Sequence, residues 1–430
     1  MNLLVVGGGG REHAIIKKLR ENPRVKTIYA LPGNGGIAAD AVCFPEIGAK
    51  DIGGIVDFAR THAVDFAVVA PDDPLALGCV DRLHEVGIPC FGPDAKAARI
   101  EASKVFSKNL MKRHGIPTAR YEVFSDPAGA LAYLRSEASF PIVVKADGLA
   151  LGKGVLIPRD LNEAETAVKL IMEDRAFGDS GNEIVIEEFL TGPEVSVLAF
   201  TDGRSIVPMV SSMDHKRAGD GDTGPNTGGM GAVAPNPCYT PAIAAECMET
   251  IFLPTLAAMR AEGCPFKGCL YFGLMLTPGG PKVIEYNCRF GDPETQVVLP
   301  LLKTDLLTIM QAVENETLGD LDVEWREGAA ACVILASGGY PGRYETGRAI
   351  TIPENLPAGV TVYHAGDKPA EDGPLVTSGG RVLGVAAVGG TLDAALQDAY
   401  AAAEGIEFEG KYLRRDIGRR ALAAMEGGRW

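Results

Sequence analysis

Three observations predict an α/β fold for this 430-residue chain. Short apolar strands alternate with amphipathic helices over about the first hundred residues, the pattern of a doubly wound parallel sheet. A glycine-rich segment between two apolar strands, Pro141 to Pro158, predicts a hairpin with a mobile tip in an α+β middle domain. The last hundred or so residues change to short strands separated by Gly/Pro turns, a small β-rich C-terminal domain. The expected boundaries are 1–102, 103–325 with a subdomain at about 118–190, and 326–430.

Composition narrows the function. A formal net charge of −15 argues against a nucleic-acid groove and against an anionic membrane surface. Nine cysteines, scattered and never spaced Cys-x-x-Cys, fit free thiols in a reducing cytoplasm rather than disulfides or zinc. The start, Met-Asn-Leu-Leu-Val-Val-Gly, reads as a strand and not as a secretion signal. No apolar run approaches the roughly 20 residues of a membrane span. The expectation is a soluble cytoplasmic protein, monomer or dimer.

In chain order, Leu3–Val6 is a strand that runs into Gly7-Gly8-Gly9-Gly10 and a helix from Arg11 to about Glu21. A glycine turn before a helix N-terminus is a ready anion seat. Glu12 stands where a dinucleotide fingerprint needs its third glycine, so that fingerprint fails. Strand Thr27–Ala30 leads to Leu31-Pro32-Gly33-Asn34-Gly35-Gly36, with no acid placed for an adenine ribose. Helix Ile52–Thr61, strand Phe66–Val69, helix Leu75–Val86 and strand Pro89–Phe91 complete the sheet.

A helical stretch, Ala95–His114, carries Lys104 and ends at Gly115-Ile116-Pro117. In the hairpin, Lys145 follows three apolar residues inside a strand, where a lone ammonium is unfavourable, so it needs an anionic partner. The tip is not a Walker A loop, because Gly154 stands where Ser or Thr would hold magnesium. Helix Leu161–Glu173 precedes strand Glu183–Leu190, whose end carries Glu187 and Glu188; this is either a charged terminus or a reader of an adenine edge. Strand Val195–Phe200 follows, opened by Glu194, a candidate for ribose hydroxyls. Met213–Gly231 is glycine-rich and poor in apolar residues, so it folds only around something or stays disordered. Asp214, Lys216, Arg217 and Asn226 in that loop suit a polyphosphate or an amino acid.

The stretch Val283–Gln296 is the centre of the chain. Glu285 and Asn287 are two apart on a strand, so both oxygens point to one side. Two hard oxygens with open positions suit Mg²⁺ shared with phosphates. Arg289 continues the row with a donor fork for a carboxylate or phosphate. A strand carrying one buried salt bridge is the alternative. Further on, strands Ala330–Ala336, Thr361–His364 and Arg381–Val388, helix Leu392–Glu404 and the basic segment Lys411–Arg420 hold no nucleophile–base motif. Cys332 and His364 are expected in core or interface roles.

On Gly7–His13, Pro32-Gly33-Asn34, Lys145–Gly154, Glu187–Leu190 with Glu194, Asp214–Gly231 and Arg289–Gln296, the chain resembles the ATP-grasp superfamily. Within it the resemblance is to the phosphoribosylamine–glycine ligases of purine biosynthesis, over essentially the whole length. The N-terminal sheet then corresponds to the pre-ATP-grasp domain, and the subdomain at about 118–190, with its hairpin, to the mobile lid of a two-part ATP-grasp domain. The resemblance implies ligation of glycine to 5-phosphoribosylamine with ATP and Mg²⁺ (or Mn²⁺), through a glycyl phosphate. Lys104 and Lys145 would contact ATP phosphates, the chain Glu187-Glu188-Phe189-Leu190 the adenine, and Glu194 the ribose. Arg217 and Asn226 would hold the polyphosphate end, and Glu285 and Asn287 the metal. Arg289, Asp214 and Lys145 are the expected catalytic groups, with Asp214 and Arg289 on the glycine. Gly9, Gly10, Asn34 and Asp292 would line the substrate site. One departure stands out: the family commonly has Gly-Pro-Glu-Ala-Pro-Leu where this chain has Ala70-Pro71-Asp72-Asp73-Pro74-Leu75.

Other readings are a different ATP-grasp ligase or a biotin-carboxylase relative, a nicotinamide-dependent oxidoreductase, and a nucleotide-binding regulator without catalysis. The missing third glycine weighs against the oxidoreductase. The joint presence of Glu285, Asn287 and Arg289 weighs against the regulator.

Overall fold

The computed structural model describes residues 1–136, 139–149, 154–371 and 373–427. The expected hairpin tip, residues 150–153, lies outside them. Strands Asn2–Gly7, Thr27–Pro32, Val42–Cys43, Phe66–Val69 and Cys90–Phe91 form a parallel sheet in the order third, second, first, fourth, fifth. Leu3–Val6 and Phe66–Val69 are buried on both faces, as a doubly wound sheet requires. Strand order reverses between the first and fourth strands. The crevice beyond their carboxyl ends, where such sheets take ligands, is bordered by Gly7–Gly10 and Ala70–Asp72.

Two expected helices are each broken. Leu75–Val86 divides into Asp72–Ala76 and Cys79–Glu85, because Gly78 adopts φ +78° between them. Ala95–His114 divides into Ala95–Ala102 and Lys104–His114. Ser103 is extended there and its hydroxyl accepts from the Phe106 N–H, starting the second helix and setting Lys104 at its first turn.

The lid is a four-stranded antiparallel sheet in the order Tyr121–Phe124, Ile184–Glu188, Ile142–Ala146, Val155–Leu156. Helices Pro127–Ser136 and Leu161–Val168 cover it through Leu134, Ala164 and Val168 against Ile142, Val144 and Ile186. Facing the lid is a second antiparallel sheet, Ile206–Pro208, Glu194–Asp202, Lys267–Thr277, Gly280–Asn287. Against expectation, one helix among the described residues, Pro241–Ala261, is by its 21 residues and its composition long and apolar enough to cross a membrane. Its apolar flank packs on this sheet: Phe252 meets Phe272 at 4.3 Å between ring centroids, and Thr255 Oγ1 lies 2.8 Å from Tyr286 Oη.

The polar loop 213–231 is ordered. Its two ends, Met213–Asp214 and Gly231–Ala234, are strands of the C-terminal sheet, beside Ala329–Ser337, Arg381–Gly389 and Val360–His364. Between them Arg217–Gly219 pairs with Thr223–Asn226 as a hairpin. What it folds around is Arg414, buried, which reaches the Arg217 carbonyl at 3.1 Å and the Asp222 carboxylate at 2.9 Å. The basic segment near the C-terminus thus organises the loop. Cys332 is buried in its strand and all nine cysteines are free.

Candidate active site

Glu285 and Asn287 share one face of strand Gly280–Asn287, opposite Gly273 and Tyr271. At Gly273 a Cβ would stand 3.1 Å from Glu285 Cγ, so the glycine makes room for the carboxylate. One residue earlier the register slips, and the carbonyl of Ile284 accepts from Lys145 Nζ at 3.2 Å. Lys216 Nζ lies 3.4 Å from Glu285 Oε1 and 3.6 Å from Glu194 Oε2. Lys216, reinforced by Lys145 and Lys104, holds the Glu285 carboxyl down at about 2 against the effect of burial. The carboxylate is therefore ionised at any working pH.

Lys145 finds the anionic partner its strand position demanded. Glu187 Oε1 lies 2.9 Å from Lys145 Nζ, and Glu187 Oε2 lies 3.0 Å from Lys108 Nζ. Burial pulls the Lys108 ammonium down to about 8, although Glu187 opposes it. The Glu187 side chain thus faces two lysines, and its strand is paired on both sides, with Tyr121 and with Val143 opposite Glu187. Glu188 binds Arg120 and Lys282 at the strand end, and Phe189 is exposed. Lys104 donates to the Gly148 carbonyl at 2.8 Å, tying the base of the hairpin to helix Lys104–His114. On the polar loop, Arg217 Nη1 donates to Gly224 O at 2.9 Å within its hairpin, and Asn226 opposite it is exposed.

Asp214 and Arg289 each keep a buried polar atom, Oδ1 and Nε respectively, without a hydrogen-bond partner among the described residues. Burial, and then the neighbouring Glu294, push the Asp214 carboxyl well above the usual range. The row does not run on to Arg289 as expected. Its guanidinium turns to Glu101, Nη2 to Oε1 at 2.9 Å, while the other Glu101 oxygen accepts from the Cys288 N–H at 2.7 Å. Burial opposes the Arg289 charge, but Glu101 and Asp72 more than restore it. Asp72, the departure from the family pattern, is held below the ordinary range despite its burial by Arg289 and Arg11.

Two expectations for the N-terminal turn change. The Gly9 N–H is taken by Glu12 Oε2 at 2.6 Å, so the acid that breaks the dinucleotide fingerprint caps the helix and leaves no free Gly9 donor for a phosphate. Asn34 is engaged too: Nδ2 donates to Gly8 O at 3.0 Å and to His364 O at 2.8 Å, and Oδ1 accepts from the Ile37 N–H at 2.8 Å. It therefore joins two turns and has no amide hydrogen left for a ligand, only a second acceptor position on Oδ1. Gly10 faces Gln296, which donates to Asp292 Oδ1 at 2.7 Å. The glycine turn and the 289–296 stretch thus form one wall.

Among the described residues, no group of three or more His, Cys, Asp or Glu side chains makes a metal cage. Two oxygens on one face, with lysines on the facing elements, fit a Mg²⁺ ion completed by phosphate oxygens and water. Models of the phosphoribosylglycinamide synthetase family match the chain as an N domain at residues 1–101, an ATP-grasp (A) domain at 102–295 and a C domain at 330–420. The chain belongs to the phosphoribosylglycinamide synthetase family. It is 49% identical over 426 residues to the phosphoribosylamine–glycine ligase of Chlorobaculum tepidum, covering 98% of this chain and 100% of that one. With the Escherichia coli K12 ligase it shares 48% over 425 residues, 98% of this chain and 99% of that one. It is 49% identical over 427 residues, 98% of its length, to a bifunctional purine biosynthetic protein of Pichia angusta, of which it spans only 54%. The crystal structure of the Thermotoga maritima phosphoribosylamine–glycine ligase superposes with a TM-score of 0.84 at 38% identity, covering 97% of this chain and all, 100%, of that one. Biotin carboxylase from Campylobacter jejuni reaches a TM-score of 0.73 at 13% identity, covering 99% of this chain and 95% of that one, a likeness of fold alone.

Within the family fold, sequence reasoning missed Glu101, Lys108, Glu294 and Arg381. Glu101 and Arg381 meet their partners only across 187 and 89 residues of chain. Lys108 had a signal in the sequence: a lysine at this place on helix Lys104–His114, among Ser107, Leu110 and Met111, lies on the buried face.

Proposed function

We propose that the protein joins glycine to 5-phosphoribosylamine with ATP, giving glycinamide ribonucleotide, ADP and phosphate through a glycyl phosphate. The observation that carries this reading is a pair of buried atoms of opposite character, Asp214 Oδ1 and Arg289 Nε, that have no hydrogen-bond partner among the described residues. Both lie beside Glu294, Lys216 links Asp214 to Glu285, and Lys104 and Lys145 act on the same carboxylate. An acceptor for an ammonium and a donor for a carboxylate suit an amino acid, and the lysines suit a polyphosphate.

Glycine would bind with its ammonium on Asp214 and its carboxylate toward Arg289. A carboxylate oxygen attacks the γ-phosphorus of ATP, and the bond to the β-phosphate oxygen breaks to release ADP. The amine of 5-phosphoribosylamine then attacks the acyl carbon, loses a proton, and phosphate leaves. Lys104 and Lys145 neutralise phosphate charge, and backbone groups of Glu187–Leu190 meet the adenine. Glu194 meets the ribose, and Arg217 and Asn226 reach the polyphosphate from the hairpin. Glu285 and Asn287 would hold Mg²⁺ or Mn²⁺, which when bound screens charge between the two reacting anions. No side-chain nucleophile is required. The work is positioning two anions in a site closed to water, since an acyl phosphate hydrolyses readily. Asn34, Gly10 and Asp292 shape the phosphoribosylamine wall. Nine free thiols suit a reducing cytoplasm.

The test is ADP release from MgATP with glycine and freshly generated phosphoribosylamine, added singly and together. Release only with both, matched by glycinamide ribonucleotide, supports the reading. Release with glycine and a different amine would keep an ATP-grasp ligase and discard the purine substrate. Tight ATP binding without turnover would favour a regulator.

A further inference from the structure

Arg381 opens strand Arg381–Gly389 of the C-terminal domain, yet its guanidinium lies at the junction of two segments of the site. Nη1 donates to Gly228 O at 2.7 Å and to Asp292 O at 2.8 Å, and Nη2 stands 3.1 Å from Asp292 Oδ2. One carbonyl belongs to the polar loop that carries Asp214 and Lys216. The other belongs to the 289–296 stretch that carries Arg289. The Gly228 N–H donates to Tyr340 Oη at 3.0 Å, so a second C-terminal side chain holds the same residue through its other backbone group.

The next residue shows what this junction sets. At Gly229 (φ +110°) a Cβ would stand 2.7 Å from Asp214 Oδ1 and 2.4 Å from Pro293 Cδ. Backbone there fills the space between the candidate glycine-ammonium acceptor and the turn at Asp292-Pro293. A shift of either segment by an ångström therefore moves Asp214 relative to Asp292. Arg381 is also one of the cations near three converging carboxylates, Asp214, Asp292 and Glu294. A planar fork can hold two carbonyls and a carboxylate at once; a lysine ammonium cannot reproduce that geometry.

The same domain fixes the opposite wall. Asp367, buried, accepts from the Gly36 N–H at 2.9 Å, its carbonyl accepts from the Gly35 N–H at 3.2 Å, and the His364 carbonyl accepts from Asn34. From this we infer that Arg381 is a positioning residue for the two small substrates of the proposed ligation, so that the site is completed by the C-terminal domain. The inference rests on that reading of the function.

The experiment compares full-length wild type with Arg381→Lys and Arg381→Met. Four quantities are measured: KM for glycine, KM for phosphoribosylamine, kcat, and MgATP affinity by calorimetry, with a melting curve for each protein. Losing charge-assisted hydrogen bonds to two segments should lower kcat/KM for glycine about 100-fold in Arg381→Met. MgATP affinity should stay within about threefold, because Lys145 and the strand end at Glu187 lie on the lid, and the hairpin carrying Arg217 and Asn226 is held by its own bonds and by Arg414, not by Arg381. Arg381→Lys should fall between the two. If Arg381→Met does not fold, Arg381→Lys decides: an unchanged glycine KM and kcat in the folded protein overturns the inference. Equal losses for ATP and for the small substrates overturn it too, since that is the mark of a general brace. Wild-type protein with no glycine-dependent ADP release overturns the ligase reading, and the inference with it.

Discussion

Lys216 faces Glu285 with Nζ 3.4 Å from Oε1, and this contact ties the polar loop to the strand that carries Glu285 and Asn287, the pair proposed to hold the metal. It keeps an acid ionised in a partly enclosed cleft, with the Glu285 carboxyl at about 2. A carboxyl lowered in this way adds stability above its unfolded value near 4.5 and loses that contribution as pH falls toward 2. Both side chains remain 36% exposed, so solvent screens the pair and its share of stability is small. Glu285→Ala should therefore lower ADP formation by about 1000-fold or more while the melting temperature stays within a few degrees. ADP release and a melting curve check this; a melting point far below wild type would show Glu285 to be a structural charge.

Asp214 gives the opposite balance. Its buried carboxyl is raised by burial and by Glu294, so folding favours the protonated acid. Stability from this group is present below its unfolded value near 3.8 and is lost as pH rises through the folded one. Asp214→Asn removes that penalty and also removes the charge that would meet the glycine ammonium. The variant should melt at or above the wild-type temperature near neutral pH, with kcat/KM for glycine lowered about 100-fold or more. Thermal melts beside glycine titrations decide it. A variant that melts lower and keeps its glycine KM would place Asp214 in the scaffold and outside the substrate site.

Much of this arrangement could be read along the chain because it follows local periodicity. The two-residue spacing of Glu285 and Asn287 fixed their common face, and the unfavourable burial of a lone ammonium required a partner for Lys145. For the polar loop the sequence leaves two outcomes, folding around something or disorder; it folds around Arg414, a side chain of the chain itself that the sequence does not single out. What could not be read depends on long-range meetings. Arg289 was expected to extend the row, but Glu101, from a helix far earlier in the chain, turns it aside. Asn34 goes to the substrate by the family resemblance alone, and its ties to Gly8 and His364 could not be read because those partners lie in other turns. Glu12 was taken only as a broken fingerprint, although an acid three residues after Gly9 is also a helix-capping position.

Gly8 marks the closest approach in the N-terminal crevice. A Cβ there would lie 2.3 Å from the carbonyl oxygen of Gly33, so the first and second strand ends touch backbone to backbone. Gly8→Ala must push the two turns apart, and both are tied to Asn34. The expected result is a loss of about 1–3 kcal/mol of stability and a higher KM for phosphoribosylamine, with MgATP affinity unchanged. Denaturant unfolding and the two binding measurements check it. An unaltered phosphoribosylamine KM would remove this turn from the substrate wall.

His215 should govern the acid limb of stability. Its ring is buried, with Nδ1 3.2 Å from Gly231 O and Nε2 accepting from the Gly418 N–H at 3.0 Å. That pairing requires the neutral tautomer with its proton on Nδ1, since a proton on Nε2 would point at another N–H. Burial, then Arg414 and Arg420, lower the imidazole to about 4, against the weaker pull of Asp222. The unfolded chain binds this proton near pH 6.5 and the folded one only near 4, so stability is full above 6.5 and drains away as pH falls to 4. At 1.36 kcal/mol per unit, the single group contributes at most about 3 kcal/mol across that window. His215→Gln cannot titrate, so its stability should be lower at pH 7 yet flatter between pH 6.5 and 4 than that of wild type. Denaturant unfolding of both proteins at half-unit pH steps measures the difference. Parallel profiles would mean that His215 is not the group that protonates, and that the acid limb belongs to the carboxylates.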